Sequence, residues 1–116
     1  MAARAGYDEA VARYHARVVE GARQVADRLA DLRAARSREG QQRESLAAHE
    51  EARGLARLRY ERGIDDYRSP LEAEERLLMQ KRIALRLKGE RIAASLGLID
   101  ALGGGYAPEG YGHDQR

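Results

Sequence analysis

The 116-residue chain is 34% charged and 43% hydrophobic but only 5% aromatic, with no Phe, Trp or Cys. That length allows one domain at most, and without large side chains a thin seam is a better expectation than a filled globular core. The missing cysteines exclude disulfides, thiolate metal sites and a cysteine nucleophile, and the net charge of +2 is too small and too interleaved to mark a basic nucleic-acid face.

The opening stretch MAARAGYDEA has no apolar run of the kind a secretory signal carries, so no export address is expected from it. Residues 1–6 read as an N-terminal extension. From Tyr7 the apolar positions Tyr7, Val11, Tyr14, Val18, Ala22, Val25, Leu29 and Leu32 advance in steps of 3 and 4, which predicts a helix. Leu46, Leu55 and Leu58 carry the pattern on among Ala, Arg, Glu and Gln. Gly40 and Gly54 each cost roughly 1 kcal/mol against Ala inside a helix and could mark a bend. No Pro lies between Ala2 and Pro70, so one continuous helix over 7–60 is expected, a rod of roughly 80 Å at about 1.5 Å per residue. Acid–base pairs Glu9–Arg13, Glu39–Arg43 and Glu72–Arg76 fall at the i,i+4 spacing that supports a solvated helix.

A turn is predicted over 61–69. Gly63 can adopt the left-handed conformation that ends a helix, and Ser69-Pro70-x-Glu72 reads as a cap, a helix-starting proline and a capping box. The second helix is expected over 70–102. Leu71, Leu78, Leu85, Ile92 and Ile99 are seven apart, one heptad position, while Leu77, Ile83, Leu87, Leu96, Leu98 and Leu102 spread apolar surface elsewhere around the helix. So wide a surface needs at least two neighbouring helices. Residues 103–116, opening on Gly103-Gly104-Gly105, are expected to be a disordered tail. No stretch approaches the roughly 20 apolar residues a membrane-spanning helix needs. The fold class is therefore all-α, a long antiparallel helical hairpin of coiled-coil type with apolar surface left over for further helices.

Catalytic patterns do not emerge. His15, His49 and His113 are far apart and fit no metal-ligand spacing. The glycines near 103 lack a phosphate-loop setting, and the adjacent acids Glu50–Glu51 and Glu74–Glu75 point different ways on a helix. No enzyme, cofactor or metal is expected.

The run RLRYERGIDDYRSPLEAEERLL, then about 20 helical residues and LGLIDALGGGY, resembles the C-terminal part of TolC-like outer membrane factors, nearest to their NodT-type lipoprotein branch. YDEAVARYHARVVEGARQVADRL resembles the start of the matching long helix, so the likeness covers roughly residues 4–106. It implies a homotrimer whose helices form an α-barrel through the periplasm below an outer-membrane β-barrel, in tripartite RND-type efflux of drugs or solutes. The partners it implies are further copies of the subunit, a periplasmic adaptor protein and an inner-membrane pump, with membrane contact only through parts this hairpin does not contain. The turn then corresponds to the periplasmic tip. Tyr60, Asp65, Ser69 and Glu72 fall at channel-aperture positions, and Gly63 and Ile64 at the turn that meets the adaptor. This sequence departs from the best-known branch, which has a basic residue where Asp65 stands and an acid where Ser69 stands. The alternative reading is a stand-alone coiled-coil interaction module of the cytoplasm, and a third, an Arg-rich nucleic-acid binder, would show affinity that collapses with salt.

Overall fold

The structure, a computed structural model, describes residues 2–104. It contains two helices, α1 (Ala2–Glu61) and α2 (Arg68–Gly104), which form an antiparallel helical hairpin. Contacts divide it into two units, Arg33–Ala93 and Met1–Leu32 with Ala94–Arg116. Both helices run beyond their sequence-predicted limits. α1 already includes Ala2 to Gly6, and it continues unbroken through Gly40 and Gly54. α2 starts at Arg68 and still holds Gly103 and Gly104, where the tail was expected; residues 105–116 of that tail lie outside the described residues.

In the Arg33–Ala93 unit the least exposed positions of α1 include Ala35, Glu39, Gln42, Leu46, His49, Arg53 and Ala56, with Gly40 and Ser45 beside them, and those of α2 include Ala73, Leu77, Gln80, Ala84, Leu87 and Arg91. Steps alternate between 3 and 4, the a/d signature of a two-helix seam. Its core is thin, as small side chains dictate: Ala35 and Leu77 are 2% and 1% exposed, with Ala73 and Leu87 also buried. Small residues let the helix axes approach, and the few leucines fill what remains.

Polar side chains cross the same seam. Gln42 Nε2 donates to Gln80 Oε1 at 2.7 Å and to the Gln80 carbonyl at 3.2 Å, and Ser45 Oγ donates to the same Gln80 Oε1 at 3.2 Å. Glu39 turns across to Arg91, with Arg91 Nε donating to Glu39 Oε2 at 2.5 Å. That contact replaces the Glu39–Arg43 pair predicted along the helix, because the half-buried carboxylate needs a partner inside the seam more than a solvated one outside it. Glu9–Arg13 and Glu72–Arg76 do form, at 2.9 and 3.8 Å. His49 sits in the seam with Nδ1 2.8 Å from the Ser45 carbonyl.

The heptad row Leu71, Leu78, Leu85, Ile92 and Ile99 does not enter the seam. Each of its members is 45–70% exposed. At about 100° per residue, the row lies about 130° around α2 from the middle of the seam.

In the other unit, Gly21, Val25 and Leu29 of α1 are half-buried and Leu32 is buried, with Ala94, Leu98 and Ala101 half-buried on α2. The Arg28 side chain lies against Gly97, where a Cβ would stand 3.6 Å from Arg28 Cδ. Residues 3–20 are exposed throughout, so Tyr7, Val11, Tyr14 and Val18 form an apolar stripe with no cover among the described residues. An ion-pair network decorates this part: Arg23 reaches Glu20 at 2.6 Å and Asp27 at 3.0 Å.

The tip turn as the candidate functional site

α1 ends by a specific backbone device. Gly63, with φ 73°, donates its N–H to the Tyr60 carbonyl at 3.0 Å, and Ile64 donates to the Arg59 carbonyl at 2.9 Å. These are the paired bonds of a Schellman motif, in which the left-handed residue is Gly for want of a Cβ. Ile64 thereby projects at the apex, 59% exposed. The glycine expected to close the first helix is the one that does.

The next residue ties the turn back to α1. Arg59 Nε donates to Asp65 Oδ2 at 2.7 Å, and the Asp65 N–H reaches the Arg59 carbonyl at 3.4 Å. The bond to Asp65, reinforced by its negative charge, holds the Arg59 guanidinium above its already high ordinary value.

α2 is capped by Asp66, not by Ser69. Asp66 Oδ1 accepts the Arg68 N–H at 3.0 Å and the Asp66 carbonyl accepts the Ser69 N–H at 3.3 Å. Pro70, which has no N–H to give the Asp66 carbonyl four residues back, is tolerated because Ser69 supplies that bond. Ser69 is half-buried inside the first turn, and Glu72, exposed, pairs forward with Arg76 at 3.8 Å instead of reaching back.

Tyr60 leaves the last turn of α1 on another side. It lines a shallow groove with Arg53, Arg57, Tyr67, Pro70, Leu71 and Glu74. The turn thus brings Ile64 and Asp65 onto the Arg59 carbonyl and Gly63 onto that of Tyr60, while the Tyr60 side chain faces α2 and Glu72 looks along it. Arg59, Asp66 and Tyr67 belong to this tip and were not picked out by motif. An acid two residues before a helical N–H could have pointed to Asp66; nothing in the sequence pointed to the six-residue reach of Arg59.

Among the described residues no group of His, Cys, Asp or Glu is arranged to hold a metal ion, and no helix is long and apolar enough to cross a membrane.

The family model described as "Outer membrane efflux protein" matches residues 1–104. This chain belongs to the outer membrane efflux protein family. It is also 34% identical over 104 residues to "Outer membrane protein OprJ" of Pseudomonas aeruginosa, an alignment covering 90% of this chain and 22% of that protein. The chain therefore spans about 22% of the length of the curated relative it matches. No solved structure matches it.

Proposed function

We propose that the hairpin is one element in the wall of a periplasmic α-barrel, in an outer membrane efflux channel subunit that works as a homotrimer in a tripartite RND-type system. The observation that carries this reading is the exposed row Leu71, Leu78, Leu85, Ile92 and Ile99, about 130° from the hairpin seam. A helix in a filled bundle shows one broad stripe, whereas a helix in a single curved layer shows two narrow ones on opposite flanks. Membership of the efflux family and the likeness to an outer membrane protein support the same reading and an outer-membrane and periplasmic location.

On this reading the channel is a passive conduit without covalent chemistry or cofactor, and an inner-membrane pump supplies the energy. Tyr60, Asp65, Ser69 and Glu72 face the aperture, and Gly63 and Ile64 meet the periplasmic adaptor. The apex position of Ile64 and the solvated Tyr60 groove support those roles, and the Arg59–Asp65 clasp supplies a contact modest enough to be exchanged on opening. In a full-length channel carrying this hairpin, Asp65→Ala or Tyr60→Ala should raise basal conductance in planar bilayers or alter drug susceptibility. Wild-type conductance and susceptibility in both variants would remove the aperture assignment.

A further inference from the structure

The exposed stripe near the start of α1 continues the face that α1 presents to α2 further along. Tyr7, Val11, Tyr14, Val18, Gly21, Val25, Leu29 and Leu32 advance in steps of 3 and 4, so all eight share one side of the helix. The last four are half-buried or buried, whereas the first four are 37–69% exposed. Cover stops where α2 stops. Gly104, the last residue of α2, borders the same hollow as Ala16, Arg17, Glu20 and Gly21, so α2 ends level with the near end of the stripe. Both lie in the unit formed by Met1–Leu32 and Ala94–Arg116.

The chain continues from that point as GYAPEGYGHDQR, residues 105–116, which lie outside the described residues. Such a segment reaches about 40 Å at most. The stripe from Val18 back to Tyr7 is helix of about 16 Å, well within that reach. The large side chains are spaced to match. Tyr106 follows Gly104 by two positions, which brings it to Val18 and Tyr14, and Tyr111 stands up to about 17 Å beyond, level with Tyr7. Pro108 disfavours a helical Ala107, which suits a segment laid along a helix better than one prolonging α2. Tyrosine also fits a half-covered site, with its ring on the stripe and its hydroxyl in water. Tethered at the end of the stripe, the segment acts at roughly millimolar effective concentration, far above a second copy in micromolar solution.

We infer that residues 106–111 dock on the Tyr7–Val18 stripe of their own chain, Tyr106 against Val18 and Tyr14, and Tyr111 against Tyr7 and Val11. The segment closes the open end of the seam in place of the free tail expected from its glycines. The inference does not rest on the channel reading and uses none of the row Leu71, Leu78, Leu85, Ile92 and Ile99.

The chain has no Trp, so Tyr106→Trp supplies a single indole reporter. Its emission should lie to the blue of a solvated indole and resist acrylamide quenching, at low and high micromolar protein alike. Adding Val18→Ser should return it to the solvated value, while adding Tyr7→Ser should leave it nearly unchanged. With the reporter moved to Tyr111→Trp, that ranking should reverse. Amide exchange over residues 7–18 should be about tenfold slower in the parent than in Tyr106→Ser/Tyr111→Ser, the factor that burying a tyrosine against the helix supplies. The substituted positions all lie outside the covered seam, and circular dichroism checks that both helices persist. A Tyr106→Trp indole as open to acrylamide with Val18 as with Val18→Ser overturns the inference, as does exchange over 7–18 that ignores the loss of both tyrosines. Protection that grows with protein concentration overturns it in favour of a second copy on the stripe. Greater exposure of the Tyr106→Trp indole by Tyr7→Ser than by Val18→Ser overturns the direction of docking.

Discussion

Gln42 and Gln80 join the two helices side chain to side chain at 2.7 Å, in the middle of a seam whose fully buried positions are all Ala or Leu. The contact acts on register. Only one stagger of α1 on α2 lets Gln80 Oε1 accept from both Gln42 and Ser45, and the same stagger brings Glu39 to Arg91. Removing one partner leaves a part-buried amide unsatisfied, so Gln80→Ala should cost about 1–2 kcal/mol in urea unfolding. The double replacement Gln42→Leu with Gln80→Leu should be nearly neutral or stabilising, because no orphaned polar group remains. Equal losses for the single and double variants would show that the amides do not act as a pair.

Gly40, Gly54 and Gly63 should respond oppositely to the same substitution. A Cβ added at Gly40 or Gly54 meets nothing within 4 Å, and both lie mid-helix. Gly40→Ala and Gly54→Ala should therefore each stabilise the chain by up to about 1 kcal/mol. Gly63→Ala also meets open space but must hold φ 73°, so it should destabilise by about 1 kcal/mol or more. Thermal melts followed by circular dichroism separate the two cases; a stabilising Gly63→Ala would contradict the left-handed turn.

The start of α2 supplies a second opposed pair. Asp66→Ala removes the acceptor of the Arg68 N–H and should cost about 1 kcal/mol, whereas Ser69→Ala, at a position without a capping bond, should cost appreciably less. The reverse ranking in denaturant unfolding would restore Ser69 as the cap.

That reassignment shows what was legible in the sequence. Residue types identified the two helices, the hairpin and the Gly63 termination, because Gly and Pro act locally and the apolar period is long. The cap was misplaced because DDYRSPLE holds two competing starts three residues apart. Sequence alone gives no way to see that Ser69 would donate its N–H to Asp66 and so relieve Pro70. Periodicity also showed that Leu71, Leu78, Leu85, Ile92 and Ile99 share a face. It could not say which face meets α1, since the seam chosen uses Ala73, Ala84 and Ala94, residues with little hydrophobic signal. At the tip, Gly63 was readable from turn chemistry and Ile64 was singled out only through the resemblance, while the Arg59–Asp65 clasp depends on how the chain reverses.

The division of α2 into two faces predicts very different costs for similar truncations. Leu77 is 1% exposed, and Leu77→Ala should destabilise the hairpin by about 3 kcal/mol through lost burial and a cavity between small neighbours. Ile99, 62% exposed, should lose less than about 0.5 kcal/mol on the same change. Comparable losses in urea unfolding would mean that the heptad row, and not the Leu77 row, holds the hairpin closed.

The Glu20–Arg23–Asp27 network predicts a local pH response. Hydrogen bonding from Arg23 is the main cause that lowers the Glu20 carboxyl below its ordinary 4.5, and the Arg23 guanidinium is raised mainly by the same bond. A carboxyl depressed in the folded state contributes stability that is present above its unfolded value and lost as pH falls through the folded one. The raised Arg23 loses its contribution only at strongly alkaline pH, so the acid limb belongs to the carboxylates. Because residues 3–20 are exposed, the loss should appear as fraying of the first part of α1 and leave the seam of the Arg33–Ala93 unit intact. Amide exchange around residues 16–24 should therefore accelerate as pH is lowered through and below 4.5, after correction for the intrinsic exchange rate. Glu20→Gln should flatten that response, and salt should weaken it in the parent by screening exposed charges. An acid response that is unchanged in Glu20→Gln would place its origin in other carboxylates of the chain.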